Sequence, residues 1–450
     1  MDTFDFSSYQ KIYLSGICGV SMSAIAKHLI SKGKTVGGSD VDKSSTWSDL
    51  ASLGVKLYQG NLAKNVQDFI PDLIIYSSAV DNKNPELTYA KSKKIPIVKR
   101  SVVLGEILKE FKTSIAVSGC HGKTTTTALI GRVFLEGGLN PTIFVGGEDP
   151  IFGNYRLGGN QFAIVEACEY KKNFLELKPT ISVVLNVDND HMESYSGMED
   201  MVDCFKEFIR GRISFINADD HYFNDLSYQT SISFGIENNA TYTAKNLTCQ
   251  KNKYSFSFYR NTKNLGRIKL NVFGKHNVYN ALVALAVGDL FNISFSKLKR
   301  GVESFYGVKR RLENLGFYSD VEFISDYAHH PKEILCTLSA LSVDENDLVV
   351  FQPHTYSRTL ILMQDFISTL KGDFGLCVYK TYPAREKFIP DGCAYNLYLK
   401  LLKEGREKLL YSDNVDELKE IIKSQKKKIK RVIFVGAGDI INVALKILKN

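Results

Sequence analysis

With 450 residues the chain is too long for one hydrophobic core, and at about 150 residues per domain it reads as roughly three. Its 44% hydrophobic and 24% charged residues are ordinary for a globular protein, and no apolar run approaches the ~18 residues needed to cross a bilayer, so neither a disordered chain nor a membrane protein is favoured. The net charge of +8 is modest, and its densest cluster, Lys423 to Arg431, has no interleaved aromatics, so anionic small substrates are expected rather than nucleic acid.

The first ten residues carry two aspartates and no basic residue, unlike a signal or transit peptide. Eight cysteines are scattered without metal-ligand spacing, so the thiols are expected to be reduced and the protein cytoplasmic.

Residues 11 to 40 predict a βαβ unit: a strand from Lys11, a turn at Gly16-x-x-Gly19, a helix through Ala24 to Ile30, and a second strand ending at Asp40. The spacing is not Gly-x-Gly-x-x-Gly, but a glycine turn still lets backbone approach a pyrophosphate, and an acid after the second strand suits a ribose. Alone, the motif also fits a Rossmann-like core with no ligand. A helix from Trp47 to Leu53, a strand from Val55 to Leu57, and a strand from Leu73 to Tyr76 ending in Ser77 and Ser78 follow. A strand from Ile95 to Val98 ending in Lys99-Arg100 and a helix from Val103 to Phe111 complete a first domain near residue 112.

The next stretch predicts strand, glycine turn and helix: Ile115 to Val117, then Gly119-Cys120-His121-Gly122-Lys123-Thr124-Thr125, then a helix stopping at Gly137-Gly138. It is shorter than G-x-x-x-x-G-K-[ST], because Val117 stands where a glycine is required. Backbone N–H groups and the helix dipole favour an anion there, Lys123 would reach the terminal phosphates, and Thr124 would hold Mg²⁺. The alternative is an ordinary turn with an exposed lysine. On an exposed loop, Lys123→Ala should cost turnover and hardly any stability.

Phe162 to Val165 reads as a buried strand delivering Glu166 and Glu169, and Ile181 to Leu185 as one delivering Asn186, Asp188, Asp190 and His191. The carboxyl ends of parallel strands collect on one edge, so Lys123, Glu166 and His191 should converge, the carboxylate and imidazole serving as Mg²⁺ ligands. Taken singly, His191 also reads as a capping or core histidine and Glu166 as a surface acid. Asn277 and Asn280 share a helix face, where their amides suit a base edge; helix capping by Asn277 is the alternative. The basic turn from Tyr306 to Glu313 reads as a hinge, followed by a third domain whose strands end in Asp326-Tyr-x-His329-His330, Gln352-Pro-His354 and Gly436-Ala-Gly438.

Nine of these motifs in order, with Ser77-Ser78-Ala, Glu166-Ala-Cys-Glu169, Arg310-Arg311 and Phe351-Gln-Pro-His354 among them, resemble the Mur ligase family of peptidoglycan synthesis over the whole chain. The resemblance implies an α/β fold of three domains: a Rossmann-like UDP-sugar-binding domain over 1–112, a phosphate-loop ATPase-like, ATP-binding central domain over 113–314, and a Rossmann-like amino-acid-binding domain over 315–450. It implies an ATP-dependent ligase joining L-alanine to the lactyl carboxylate of UDP-N-acetylmuramate through an acyl phosphate.

By the same resemblance Gly16, Gly19, Asp40, Ser77 and Ser78 contact the sugar nucleotide, and Gly119 to Thr125 wrap the phosphates. Asn277 and Asn280 read adenine, while Thr124, Glu166 and His191 ligate Mg²⁺. Arg310 and Asp326 complete the ATP site, and His329, His354, Tyr356 and Arg358 line the amino-acid pocket. Cys120 stands where threonine is usual, Cys168 where aspartate is common, and Thr355 where some relatives have arginine; Lys206 is a candidate for the carbamylated lysine of several members. Relatives that attach a whole peptide, or glutamate to a folate, are disfavoured by His-His-Pro and Phe-Gln-Pro-His. A scaffold that lost the chemistry would need none of Lys123, Glu166, His191 and Asp326 together.

Overall fold

The computed structural model describes residues 6, 8–41, 43–189, 192–210, 212–223, 230–250, 252–384 and 386–449. Asp190 and His191 therefore lie outside the described residues.

The first sheet is built from β1 (Lys11–Ser15), α1 (Val20–Ser31), β2 (Thr35–Asp40), α2 (Ser45–Ser52), β3 (Lys56–Gln59), α3 (Ala63–Phe69), β4 (Leu73–Tyr76), α4 (Pro85–Ser92), β5 (Ile97–Lys99) and α5 (Arg100–Leu108). Its strands run in the order β3-β2-β1-β4-β5, all parallel, so the switch point of the topology lies beside the turn that leaves β1. Two helices, α3 and α4, are additional to the sequence expectation. α4 carries a legible start: Asn84 Oδ1 accepts the Glu86 N–H at 2.8 Å and Pro85 occupies the first turn.

The second sheet follows with β6 (Thr113–Ser118), α6 (Lys123–Gly137), β7 (Thr142–Asp149), β8 (Gly153–Arg156), β9 (Phe162–Glu166), β10 (Ile181–Val184), α7 (Met198–Ile209), β11 (Ile213–Asn217), β12 (Ser231–Gly235), β13 (Tyr242–Gln250), β14 (Lys253–Arg260), β15 (Lys263–Phe273), α8 (His276–Leu290) and α9 (Phe295–Glu303). Its order is β15-β14-β13-β12-β11-β10-β6-β9-β7-β8. The phosphate-loop strand β6 sits between β10 and β9, parallel to both. Covered on both faces, these strands read as continuous apolar runs: Ile115, Ala116, Val117, Ile164 and Val183 are fully buried. Burying each large aliphatic side chain contributes about 1.5–3 kcal/mol against the entropy of ordering the chain.

The third sheet comprises β16 (Glu313–Tyr318), β17 (Val321–Asp326), α10 (Pro331–Ala340), β18 (Asp347–Phe351), α11 (Tyr356–Ile361), α12 (Met363–Thr369), β19 (Gly375–Tyr379), α13 (Ala394–Lys403), β20 (Leu409–Ser412), α14 (Val415–Gln425), β21 (Arg431–Val435) and α15 (Ile440–Lys449). Strands β17, β21, β18, β19 and β20 are parallel in that order, with β16 antiparallel on the β17 edge. Apolar clusters cover both of its faces.

The three sheets pack as two compact units. The first comprises Met1–Thr248, Ser255–Leu270 and His276–Tyr306, and the second Cys249–Tyr254, Asn271–Lys275 and Gly307–Asn450. In the first unit one core runs from Ile12, Leu14 and Ile107 through Phe144, Phe174 and Phe205, so the first sheet and the nucleotide-loop sheet share it.

Candidate active site

In the first sheet the predicted residues meet around the turn after β1. Gly16 takes φ +80°, and a Cβ there would touch Ser77 Cβ at 3.4 Å. The Gly16 and Ile17 N–H groups donate to Ser39 O at 2.9 and 3.0 Å. Asp40 is buried, and its two carboxylate oxygens accept the N–H groups of Cys18 (2.9 Å) and Val41 (2.8 Å). In this arrangement Asp40 shapes the glycine turn. Gly19 precedes α1, and Ser77 Oγ accepts the Ala79 N–H at 3.3 Å. Beneath the turn lies a carboxylate that sequence reasoning missed: Glu86, fully buried, accepts from Tyr13, Ser15, Ser39 and Asn65.

Ser78 connects this edge to the second sheet. Its Oγ accepts from Asn173 Nδ2 at 3.1 Å and its carbonyl from Lys171 Nζ at 3.0 Å. The donors sit on a turn in which Lys171 and Lys172 both adopt left-handed backbone, φ 52° and 57°. Two successive non-glycine residues there are uncommon and mark a locally strained segment.

The phosphate loop has the expected backbone. Gly119 (φ +129°) and Gly122 (φ +85°) take conformations that L side chains rarely adopt, and a Cβ on Gly122 would lie 2.5 Å from Asn280 Oδ1. Asn186 braces the loop from the end of β10: its side chain accepts the His121 N–H at 2.8 Å and donates to His121 O at 3.0 Å, while its carbonyl accepts the Cys120 N–H. Cys120 is buried and its thiol exchanges hydrogen bonds with the Asp188 backbone at 3.1 and 3.3 Å. His121 Nε2 stands 3.2 Å from Asp188 Oδ2. Thr124, buried, and Thr125 follow in the first turn of α6.

Lys123 departs from expectation. It is not an exposed loop residue: its side chain is 13% exposed, and its ammonium donates to Gly119 O (2.6 Å), Cys120 O (3.1 Å) and the fully buried carboxylate of Glu169 (3.0 Å). Burial works against the charged form, but the charge of Glu169, with that of Glu166 behind it, outweighs burial and raises the Lys123 pKa. The sequence named Glu169 but gave it no role, because its spacing from Glu166 does not reveal which acid meets the lysine.

Glu166, at the end of β9, lies over Gly146 of β7 and accepts its N–H at 3.0 Å. Among the described residues no cluster of three or more His, Cys, Asp or Glu side chains forms a metal site. A carboxylate and the Thr124 hydroxyl are nevertheless hard oxygen donors, the type Mg²⁺ takes one or two at a time alongside phosphates, so the residues present fit that ion. Lys206 lies on α7 with its ammonium 3.5 Å from Asp203 at i,i+3 spacing, and no hydrogen bond among the described residues joins it to this cluster.

Asn277 and Asn280, both buried in the first turns of α8, share a face as expected. Asn280 Nδ2 donates to Asn277 Oδ1 at 2.9 Å, and Asn280 Oδ1 accepts from Thr126 Oγ1 at 3.1 Å. Asn280 thus packs on the phosphate loop itself. Arg100, which the sequence showed as the end of a strand, opens α5 and donates to Ser21 Oγ at 2.6 Å.

In the second unit the carboxyl ends of β17 and β18 gather the remaining predictions. Asp326 is buried and accepts from Leu312 N–H, Ala328 N–H and Thr337 Oγ1 at 2.8–2.9 Å; burial raises its pKa, with Arg311 opposing. Arg310 and Arg311 lie over the ring of Tyr327 at 4.7 and 5.4 Å, and Arg310 donates to Gly438 O at 2.7 Å. The rings of His329 and His354 are 5.6 Å apart, and His354 stacks on Tyr382. Burial pushes the His354 imidazole down to about 4, and the nearby charges of His329, Arg358 and Arg310 push the same way, outweighing Glu386. Burial also lowers His329. Tyr356 opens α11 with its ring against Phe388, and Thr355 before it is a β-branched residue held at φ 67°.

Residues 11–112 match the Mur ligase family, catalytic domain, and residues 117–288 the Mur ligase middle domain. The chain is 36% identical over 462 residues to the UDP-N-acetylmuramate–L-alanine ligase of Acetivibrio thermocellus, covering 100% of this chain and 98% of the relative. It is 39% identical over 450 residues to the ligase of the same name from Clostridium tetani, covering 97% and 98%. The crystal structure of UDP-N-acetylmuramate-alanine ligase from Thermotoga maritima superposes with a TM-score of 0.84 at 29% identity over 98% of each chain. A murein peptide ligase from Psychrobacter arcticus shares the fold, with a TM-score of 0.74 at 20% identity over 97% of this chain and 98% of that one. With full-length relatives well above 30% identity, and a phosphate loop on the expected strand, the chain belongs to the Mur ligase family.

Proposed function

We propose that this chain is an ATP-dependent ligase that joins L-alanine to the lactyl carboxylate of UDP-N-acetylmuramate, the first amino-acid addition in peptidoglycan synthesis. The observation that carries the reading is similarity over the whole chain to ligases of that name. In this reading residues 1–112 hold the sugar nucleotide through Gly16, Gly19, Asp40, Ser77 and Ser78, residues 113–314 hold ATP, and residues 315–450 receive the amino acid. The cytoplasm is the proposed location; no helix among the described residues is long and apolar enough to cross a membrane.

A carboxylate is a poor acylating agent, so its oxygen first attacks the γ-phosphorus of ATP; the bond to the ADP oxygen breaks and an acyl phosphate forms. The neutral amine of L-alanine then attacks the acyl carbon, loses its proton, and inorganic phosphate leaves as the amide forms. The loop Gly119 to Thr125 wraps the phosphates with the N–H groups that open α6, those of Cys120 and His121 being engaged by Asn186, and the Lys123 ammonium counters charge on the phosphoryl group in flight. Thr124 and Glu166, with His191, would hold Mg²⁺, which would supply neutralisation of phosphate charge. His329, His354, Tyr356 and Arg358 line the amino-acid pocket, and Asn277 and Asn280 read adenine.

An ADP-release assay tests the reading by omission. Turnover is expected to require UDP-N-acetylmuramate and L-alanine together, and L-alanine to outcompete both a tripeptide and glutamate. ADP release that ignores either substrate, or preference for the tripeptide, would refute it.

A further inference from the structure

Arg100 has no part in the residue roles assigned above. It stands at the carboxyl end of β5, and its guanidinium donates to Ser21 Oγ at 2.6 Å, two residues past Gly19 on the first turn of α1. That turn is tied to the second sheet: Asn154 Nδ2, on β8, donates to Val20 O and Ser23 Oγ at 2.8 Å, and Lys27 Nζ donates back to Asn154 Oδ1 at 2.8 Å. α5 is pinned from behind, because Gly105 approaches Glu176 O so closely that a Cβ would lie 2.5 Å away. A guanidinium carries five N–H donors, and among the described residues no carboxylate pairs with it. Burial lowers its pKa, and the Glu166 carboxylate at the end of β9 opposes that.

The guanidinium thus lies where the glycine turn of the first sheet meets the strand end that carries Glu166. A carboxylate that is to attack a phosphoryl group held over α6 must enter this seam, against the repulsion of the phosphates, and a planar cation with unused donors is what such an anion requires. We infer that Arg100 binds the lactyl carboxylate of the sugar nucleotide and makes that carboxylate the basis of substrate choice. The inference rests on the sugar-nucleotide reading above.

The test compares binding of UDP-N-acetylmuramate with that of UDP-N-acetylglucosamine, which lacks the lactyl arm, by calorimetry on the parent, Arg100→Met and Arg100→Lys. The parent is expected to prefer the muramate. Arg100→Met should weaken muramate binding by about 10–100-fold, the worth of a charge-assisted pair, and leave the glucosamine nucleotide and the KM for ATP within about twofold. Arg100→Lys should keep part of the preference. A preference unchanged in Arg100→Met overturns the inference while leaving the ligase reading intact, and so does equal loss of both nucleotides, which marks a structural role. A parent that neither binds the muramate nor releases ADP with it would instead bring down the ligase reading and this inference together.

Discussion

Lys123 and Glu169 illustrate how one ion pair carries both stability and chemistry. The pair is nearly dry, so removing the ammonium takes away the positive charge that faces a fully buried carboxylate. Lys123→Ala is therefore expected to lower stability by about 3–5 kcal/mol, the usual cost of breaking a buried pair on one side, as well as cutting turnover at least about a hundredfold. Pairing it with Glu169→Gln separates the two effects: thermal unfolding should recover much of the lost stability in the double variant, while ADP release stays low. Unaltered melting of Lys123→Ala would contradict the burial argument, and recovered turnover would contradict the catalytic one. The sequence revealed that a lysine follows Gly122, but not that a second acid three residues beyond Glu166 folds onto it. That contact depends on the path of the chain after β9, which no residue-type pattern announces. Asn186 and Arg100 escaped assignment for a related reason: each is an ordinary polar residue at a strand end until its partner across the sheet is known.

At the scale of elements, strands with a continuous apolar run were legible because burial on both faces leaves little choice of residue, as in β6, β9 and β10. The short helices α3 and α4 were not. Ala63–Phe69 spans two turns with no capping side chain, and α4 holds buried Glu86 where an apolar residue would have signalled a core face. Close helix packing is equally invisible in sequence until a glycine is seen in place. Gly105 lets α5 lie against the turn Tyr170–Glu176, and Gly105→Ala would put a methyl group into the Glu176 carbonyl. Overpacking of this kind costs about 1–3 kcal/mol, so a lower melting temperature is expected; an unchanged one would show that α5 can shift without loss.

The second unit contributes a pH response of its own. His354 is held neutral down to about 4, against about 6.5 for an unfolded histidine, and His329 is lowered as well. Above pH 6.5 neither state takes up a proton at His354 and the residue contributes nothing to the pH dependence. Between about 6.5 and 4 the unfolded chain binds the proton and the folded one does not, so stability falls as pH falls, by at most about 3 kcal/mol from His354. Denaturant titrations across that range should show the decline, and His354→Gln should flatten it; a parent curve level between pH 7 and 4 would contradict the neutral imidazole. The three-sheet α/β plan was legible from strand ends and glycine turns, whereas the core shared by the first two sheets was not, since Phe144, Phe174 and Phe205 carry no sign of which sheet they face.

The central claim is that the substrate's own carboxylate oxygen attacks ATP. It is tested most directly by supplying UDP-N-acetylmuramate with ¹⁸O in the lactyl carboxylate and analysing the inorganic phosphate released with L-alanine by mass spectrometry. An acyl phosphate requires one carboxylate oxygen to leave with phosphate, so each turnover should transfer one label. Phosphate that remains unlabelled while the amide accumulates would contradict the account.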